Sequence, residues 1–135
     1  MTPYKALATY LQSSTVQDQF DSAFEFYPIQ APQRQSLNNA NFSIFTMKED
    51  TPETEFGGGF SNGRMVVEFD FFSNSLATID SNINTFKTLF VGQSILLDST
   101  IEMAYADTSN EFDAYEDNNK LWIRSLDLSL KYIIK

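Results

Sequence analysis

The chain of 135 residues contains no cysteine and no histidine. Without cysteine the fold cannot depend on disulfides, and the redox compartment stays undetermined. The two absences together exclude Ser-His and Cys-His nucleophilic catalysis, zinc sites built from cysteine and histidine, and haem ligation by either residue. Most familiar enzyme classes are therefore excluded before any motif is considered.

Basic residues are scarce as well, since nine lysines and arginines stand against 18 acidic residues and give a net charge of −9. Such a surface repels a phosphate backbone, so we expect no specific binding of nucleic acid. No apolar run approaches the roughly 20 residues that cross a bilayer, and residues 1–14 lack the basic and apolar parts of a signal peptide. We expect a protein that contacts no membrane and is soluble in the cytoplasm where it is made.

The chain has the size of one domain, and residues 1–135 are predicted to form a single unit. Apolar residues make up 42% of it, and 13 of them are phenylalanines, which is enough for a well-filled core. Thr2-Pro3 predicts the start of a helix that ends near Ser13, and residues 73–75 cap a longer helix that ends before Gly92.

Strands are predicted at residues 24–27, 41–48, 64–72, 95–98, 100–106 and 120–135, and the last of them has one apolar and one polar face. The longer helix carries apolar residues along one side, and the strands at 64–72 and 120–135 each have an apolar face. Together they give the expected core, namely Leu76, Ile79, Ile83, Phe86, Phe69, Leu126, Leu128 and Leu130. An amphipathic helix must cover the apolar side of the sheet. The sequence therefore predicts an α+β fold: an antiparallel, partly sandwiched β-sheet with two helices packed on one face and a long β-hairpin arm.

The predicted arm is the acidic, glycine-rich stretch 49–63 between two strands. Its Gly57-Gly58-Gly59 triplet does not fit a phosphate-binding loop, because a strand rather than a helix follows it and acidic residues precede it. A flexible hairpin tip is the favoured interpretation.

Residues 107–119 are predicted to form an acidic loop. They could bind a hard cation through oxygen ligands, but they lack the spacing of a calcium loop, so we expect no metal and no cofactor. The pairs Glu68 with Asp70 and Glu111 with Asp113 could act as the acid and base of a glycosidase. Such pairs also arise by chance among 18 acids, and no catalytic residue is predicted.

Three basic residues lie within predicted strands: Arg64, Arg124 and Lys131. They either pair with the acidic face of a neighbouring molecule or keep the sheet edges soluble, and the sequence leaves both interpretations open. Trp122 and Tyr132 share the apolar face of the last strand, which favours a role in the core or an interface over ligand stacking.

The whole pattern resembles the tail terminator proteins of bacteriophages, also called tail completion or minor tail proteins. The similarity lies in the order of elements, with a short opening helix and a long hairpin, and in two local patterns. Residues 66–72 (VVEFDFF) lead into the helix at 75–90, and residues 125–132 (SLDLSLKY) lie in the closing strand.

The resemblance implies a structural virion protein, not an enzyme, that forms a homo-oligomeric ring, commonly of six subunits, at the head-proximal end of the tail. Such a ring ends polymerisation of the tail tube and joins the tail to the neck, so its partners are the tube protein and a neck connector. DNA passes through it without specific binding. The implied location is the virion, after assembly in the bacterial cytoplasm.

Three alternatives remain. Other neck or connector proteins and tube-like proteins share a similar build, a non-viral soluble adaptor module is an option from another class, and a carboxylate hydrolase is a third. In a ring, we expect the hairpin arm to make the subunit contacts through Glu53, Glu55, Phe56, Gly58, Phe60 and Arg64. We expect the acidic loop to face the lumen or a partner through Asp107, Glu111, Asp113, Glu116 and Asp117.

Overall fold

The computed structural model describes residues 2–29, 39–54 and 61–135. Within these ranges the elements, in chain order, are α1 Pro3–Leu11, α2 Ser14–Gln17, β1 Glu25–Pro28, β2 Asn41–Thr54, β3 Ser61–Ser73, α3 Leu76–Phe90, β4 Ile95–Leu96, β5 Ile101–Glu116 and β6 Leu121–Ile134. The predicted α+β class is confirmed in outline, and several of its details are not.

The strands of the described residues form one mixed sheet in the order β1-β2-β3-β6-β5-β4, which curls into a half-barrel. Every neighbouring pair is antiparallel except β1 and β2, which are parallel. Parallel neighbours need a connection of about a dozen residues or more, and the chain between Pro28 and Asn41 is long enough to provide it. The expected all-antiparallel sheet is therefore wrong, and no second sheet makes a sandwich in the described ranges.

All three helices contribute to one core on a single face of the sheet. Because strand side chains alternate, β3 and β6 each send every second residue into this core. The expected core residues buried here are Ile79, Ile83, Phe86, Phe69, Leu126, Leu128 and Leu130. Leu76 is the exception, with 40% of its surface exposed, because it lies in the first turn of α3 at the end of the apolar stripe.

Phenylalanine rings fill the space between α3 and β3. The ring centroid of Phe86 lies 4.7 Å from that of Phe69 and 5.5 Å from that of Phe71, and the first two rings are inclined by 53°. Phe26 of β1 meets Phe69 edge to face at 6.0 Å. Aromatic pairs prefer such inclined contacts because the positive ring edge meets the negative ring face.

The predicted helix starts are confirmed in atomic detail. The Thr2 Oγ1 atom accepts a hydrogen bond from the backbone N–H of Lys5 at 3.2 Å, and the Ser75 Oγ atom accepts one from Thr78 at 3.3 Å. Each bond satisfies an N–H that has no partner within its helix. Gly92 follows the C-cap of α3 with a φ of 72°, a conformation that glycine adopts without steric cost.

Two predicted irregular segments are strands instead. The supposed acidic loop 107–119 is mostly β5, which runs to Glu116, and only residues 117–120 form the turn into β6. Residues 49–54 and 61–63 of the supposed arm are strand as well, because β2 extends to Thr54 and β3 starts at Ser61, which is paired with Ile134 of β6. The glycine triplet lies outside the described residues. Both segments lack hydrophobic alternation, and the ladder bonds offered by their neighbours make them strands nonetheless.

Tyr132 ties β6 to β2 across the intervening strand. It lies opposite Gly63, where a Cβ atom would come within 2.5 Å of the tyrosine hydroxyl oxygen. The ring passes over this glycine, and its hydroxyl donates a hydrogen bond of 2.7 Å to Oδ1 of Asp50. Burial, helped by this bond to a carboxylate, raises the pKa of Tyr132 to about 12.

Replacement of Phe69 by alanine should lower the free energy of unfolding by about 3–5 kcal/mol, because the cavity would open beneath Phe86 in the centre of the core. Urea unfolding followed by the fluorescence of Trp122 measures this loss. Leu96→Ala is the matched control, since Leu96 is 58% exposed and its loss should cost less than about 0.5 kcal/mol. A similar loss in both variants would contradict the described core.

Tyr132 should make the protein sensitive to alkali. Because the folded-state pKa is raised, the tyrosine's contribution to stability is complete below pH 10 and is lost as the pH rises through about 12. Between pH 9 and 11 the wild type should therefore lose about 1 kcal/mol more than Tyr132→Phe does. Urea titrations at both pH values test this. Tyr105→Phe, at a residue 55% exposed, should follow the wild type.

Candidate functional site

The face of the sheet turned away from the helices, here called the helix-free face, carries a graded pattern of side chains. The strand register aligns them in rows across β2, β3, β6 and β5. Along β2 these rows are Phe42–Phe72–Ile123–Ala114, Ile44–Asp70–Ser125–Phe112, Thr46–Glu68–Asp127–Ser109, Glu49–Val66–Ser129–Asp107 and Thr51–Arg64–Lys131–Tyr105. The face is apolar at one end, acidic in the middle and basic towards the other end.

The apolar end is a small second hydrophobic cluster. The rings of Phe42 and Phe72 stack with their centroids 4.8 Å apart, and Leu121 is buried beside them. Tyr27 and Ile123 pack at its margin. The cluster anchors the start of β2 to the end of β3 and makes this part of the face rigid.

The middle of the face is an acid cluster formed by Glu68, Asp70 and Asp127. Asp127 is buried, and the Nζ atom of Lys48 donates to its two carboxylate oxygens at 3.0 and 3.3 Å. The side-chain amide of Asn110 donates to the same carboxylate at 2.9 Å. These three donor contacts keep a buried charge satisfied.

Both donors to Asp127 come from β-bulges. The register between β2 and β3 shifts at Lys48, and the register between β5 and β6 shifts at Asn110, whose φ of 53° is left-handed. A bulge adds one residue to a strand and redirects its side chain, and asparagine tolerates the left-handed conformation better than most residues. The bulges therefore aim side chains from two different strands at one carboxylate.

Glu68 and Asp70 lie beside this buried charge on β3. The Ser125 hydroxyl donates to Oδ1 of Asp70 at 2.6 Å. Burial and then the nearby charge of Asp70 raise the pKa of Glu68, and Lys48 partly opposes the shift. The arrangement holds negative charge on a sheet surface and gives each acid a different environment.

The sequence correctly placed Glu68 and Asp70 on one face but missed the partners that complete the cluster. Ser125 and Asp127 lie on the polar face that is predicted for the last strand. Their place beside Glu68 and Asp70 depends on the pairing of β3 with β6, which are neighbours in the sheet although α3, β4 and β5 separate them along the chain.

Beyond the acid cluster, a groove of about 600 Å³ lies over the end of the sheet. Arg64 and Lys131 face each other across β3 and β6, and Tyr105 and Thr51 flank them in the same row. Arg124, the third basic residue singled out in the sequence, lies on the helix side and pairs with Asp80 and Asp113 of its own chain. Arg124 is therefore engaged within the subunit.

The expected lumen-facing acids do not form one patch, because strand alternation separates them. Asp107 lies on the helix-free face. Glu111 faces α3, where it accepts a hydrogen bond from Lys87 at 2.7 Å, and Asp113 is paired with Arg124.

The last two of these acids lie at the turn between β5 and β6. Glu116 accepts hydrogen bonds from the backbone N–H groups of Asn118 and Asn119 at 3.0 and 3.1 Å. The carbonyl of Asp117 accepts from the N–H of Lys120. Both residues thus shape the turn.

The residues expected in the arm contacts are only partly described. Glu53 is exposed near the end of β2, and Arg64 lies in the groove. Glu55, Phe56, Gly58 and Phe60 lie outside the described residues.

Both long outer strands have a free edge in the part of the chain that the structure describes. β1 covers only Phe42–Phe45 of β2, so residues 46–54 have no partner strand on that side. β4 pairs only with Glu102 and Met103 of β5, which leaves residues 107–116 free on their outer side. Phe112 lies on this free edge with 59% of its surface exposed.

A metal-binding group and a membrane-spanning helix are both absent from residues 2–29, 39–54 and 61–135. Within them, no three acidic side chains are grouped in a way that would hold a metal ion. No helix in these ranges has the length and apolar character needed to span a membrane.

The sequence matches no family model and no curated protein. Among solved structures, the fold is similar to that of a chain in the virion of a native gene transfer agent (GTA) particle. The two chains share a TM-score of 0.52 and 9% sequence identity, and the similarity covers 96% of this chain and 90% of the other. The likeness is one of fold, and it extends over nearly the whole of both chains.

Replacement of Glu68 by glutamine should stabilise the protein at neutral pH by about 0.5 kcal/mol, because Asp127 lies directly opposite on β6 and Asp70 is close by. A raised folded-state pKa means that ionisation of Glu68 costs stability, so the advantage of the variant should shrink as the pH falls through that pKa. Urea unfolding across the acid range measures the difference. Asp18→Asn, at an exposed position outside the sheet, should show little effect, and an equal gain there would contradict the cluster as the cause.

Proposed function

We propose that this protein is a structural subunit of a phage-like virion, and that it forms a homo-oligomeric ring at the head-proximal end of the tail, where it ends tube polymerisation. The observation that carries the proposal is the fold similarity to a chain of a gene transfer agent virion over 96% of this chain. The predicted resemblance to tail terminators gives the position in the tail. A binding or scaffolding role, rather than an enzymatic one, agrees with both.

The free edges of the sheet support ring formation. Unpaired strand edges attract further strands, and closure of a ring removes them. The four long strands alternate in direction from β2 through β3 and β6 to β5, so β2 and β5 run in opposite directions. A neighbour related by rotation about an axis along the strands would therefore place its β2 antiparallel to β5 and continue the same ladder.

The exposed aromatic residue on one of these edges supports the same contact. Phe112 is a large apolar side chain on β5, next to the unpaired backbone groups of residues 107–116. Aromatic residues are enriched in protein interfaces. We propose that Phe112 is buried against the uncovered part of β2 of the neighbouring subunit, and that Glu53 near the end of β2 belongs to the same contact. Because Phe112 is level with Ile44, which β1 covers, this contact needs the neighbour to be staggered along the strands, as tilted strands in a closed barrel are.

The charge pattern supports passage of DNA through such a ring. If the sheets close with the helices outside, the helix-free face lines the channel and presents to the lumen the acid cluster and, towards one end of the sheet, the pair Arg64 and Lys131. Fixed negative charge repels phosphates and prevents DNA from adhering to the wall. In this proposal the lumen acids are Glu68, Asp70, Asp127 and Asp107, whereas Glu111 and Asp113 point to the helix side.

The mass of the purified particle tests the ring. The wild type should form a discrete oligomer in mass photometry, and Phe112→Lys should remain a folded monomer because lysine on a free edge opposes strand addition. Asn84→Lys adds the same charge on the exposed side of α3 and should leave the oligomer intact.

Addition of purified ring to polymerising tube protein should stop growth at defined lengths if the subunit is a terminator. A wild type that is monomeric at every concentration would contradict the ring. An open-ended polymer of the subunit alone would instead favour a tube protein.

A further inference from the structure

Arg64 and Lys131 lie directly opposite each other on β3 and β6, on the floor of the groove. Like charges at directly opposite positions of an antiparallel pair destabilise it. Neither side chain makes an ion pair with any described residue, although the chain has twice as many acidic as basic residues. An anion placed between the two cations would remove this repulsion.

Four other cations of the described chain are ion-paired and Lys5 and Lys120 are not, but among the described residues Arg64 and Lys131 are the two that stand directly opposite each other on neighbouring strands. Those ion pairs are Lys48 with Asp127, Lys87 with Glu111, Arg124 with Asp80 and Asp113, and Lys135 with Glu102. Two unpaired cations at opposite positions break the rule that like charges are kept apart on neighbouring strands. Such a break is typical of a functional site.

The nearest carboxylates on the groove walls are turned to other partners. Oε1 of Glu49 accepts a hydrogen bond from the Thr51 hydroxyl at 3.1 Å. Oδ1 of Asp107 accepts one from the N–H of Thr108 at 2.8 Å. Because these walls are negative, a long polyanion such as nucleic acid would be repelled on both sides. A single carboxylate that enters over the floor would not.

The rest of the groove suits an extended peptide. Tyr105, 55% exposed, offers an aromatic surface on one wall, and Val66 adds an apolar patch on the floor. The hydroxyls of Thr51 and Ser129 provide hydrogen-bonding groups in the same space. The guanidinium of Arg64 can bind a carboxylate through two parallel hydrogen bonds, with Lys131 as a second positive charge.

We propose that this groove binds an extended segment of another protein that carries an acidic side chain. The carboxylate lies between Arg64 and Lys131, and the adjoining residues pack against Tyr105 and Val66. This binding can be measured on a monomer, because all residues of the groove belong to one subunit. In the proposed ring the groove faces the channel.

Peptides of defined charge test the proposal on the full-length protein. The probe is a threonine-rich peptide with one central glutamate and both ends capped, and its neutral match has glutamine in place of that glutamate. In isothermal titration at low salt, the acidic peptide should bind at least about tenfold more tightly than the neutral one, since a charge-assisted contact of this kind is worth about one factor of ten. Added salt should weaken only the acidic peptide.

A double variant, Arg64→Gln with Lys131→Gln, should lose the preference for the acidic peptide. Its urea midpoint without peptide should stay the same or rise, because the repulsion is gone, whereas a purely structural role would lower it. Lys5→Gln with Lys120→Gln removes the same charge at exposed positions outside the groove and should keep the preference.

Three results would overturn the proposal: equal binding of the two peptides, equal loss in the two double variants, or tighter binding of a single-stranded oligonucleotide than of the acidic peptide. A changed particle mass in the groove variant without any peptide binding would also overturn it, and would make a second copy of this chain the occupant. Mass photometry of the wild type reports on the ring separately, so failure of the groove and failure of the ring are distinguishable.

Discussion

The packing of α3 against β3 and β6 determines the arrangement of everything else in the molecule. Phe86 of α3 sits between Phe69 and Phe71, and these rings lie in the centre of the core that all three helices share. Because the helices of the described residues lie on one face, the other face of the four long strands is left for charge and for partners. The aromatic core therefore does more than stabilise the fold, since it decides which side of the sheet is available for function.

On that available side, irregular strand geometry organises the charges. A bulge in β2 and a bulge in β5 supply Lys48 and Asn110, the donors to Asp127. A regular ladder would send these residues elsewhere and would leave a buried carboxylate without donors, at a cost of several kcal/mol. The bulges also keep Glu68 close to one positive charge, so that the acid cluster remains compatible with a folded sheet.

The acid cluster and the groove both lie on the helix-free face that would line the channel, at different heights along the strands, and the subunit contacts lie at the edges of the sheet. The free edges of β2 and β5 would serve subunit contact, the acid cluster would face passing DNA, and the groove over Arg64 and Lys131 would receive an acidic segment. The two basic residues are near the acid cluster along the same strands, yet neither forms an ion pair with a described residue.

Elements with a local signal could be predicted from the amino-acid sequence: the capped starts of α1 and α3, the apolar stripe of α3, and the two faces of β6. Periodicity and capping act within a few residues, so they can be recognised without knowing the fold. The edge strand at residues 107–116, the parallel pairing of β1 with β2, and the place of Asp127 beside Glu68 and Asp70 became visible in the folded chain. These features depend on which strands are neighbours, and that choice is made by the packing of distant segments, which no local pattern encodes.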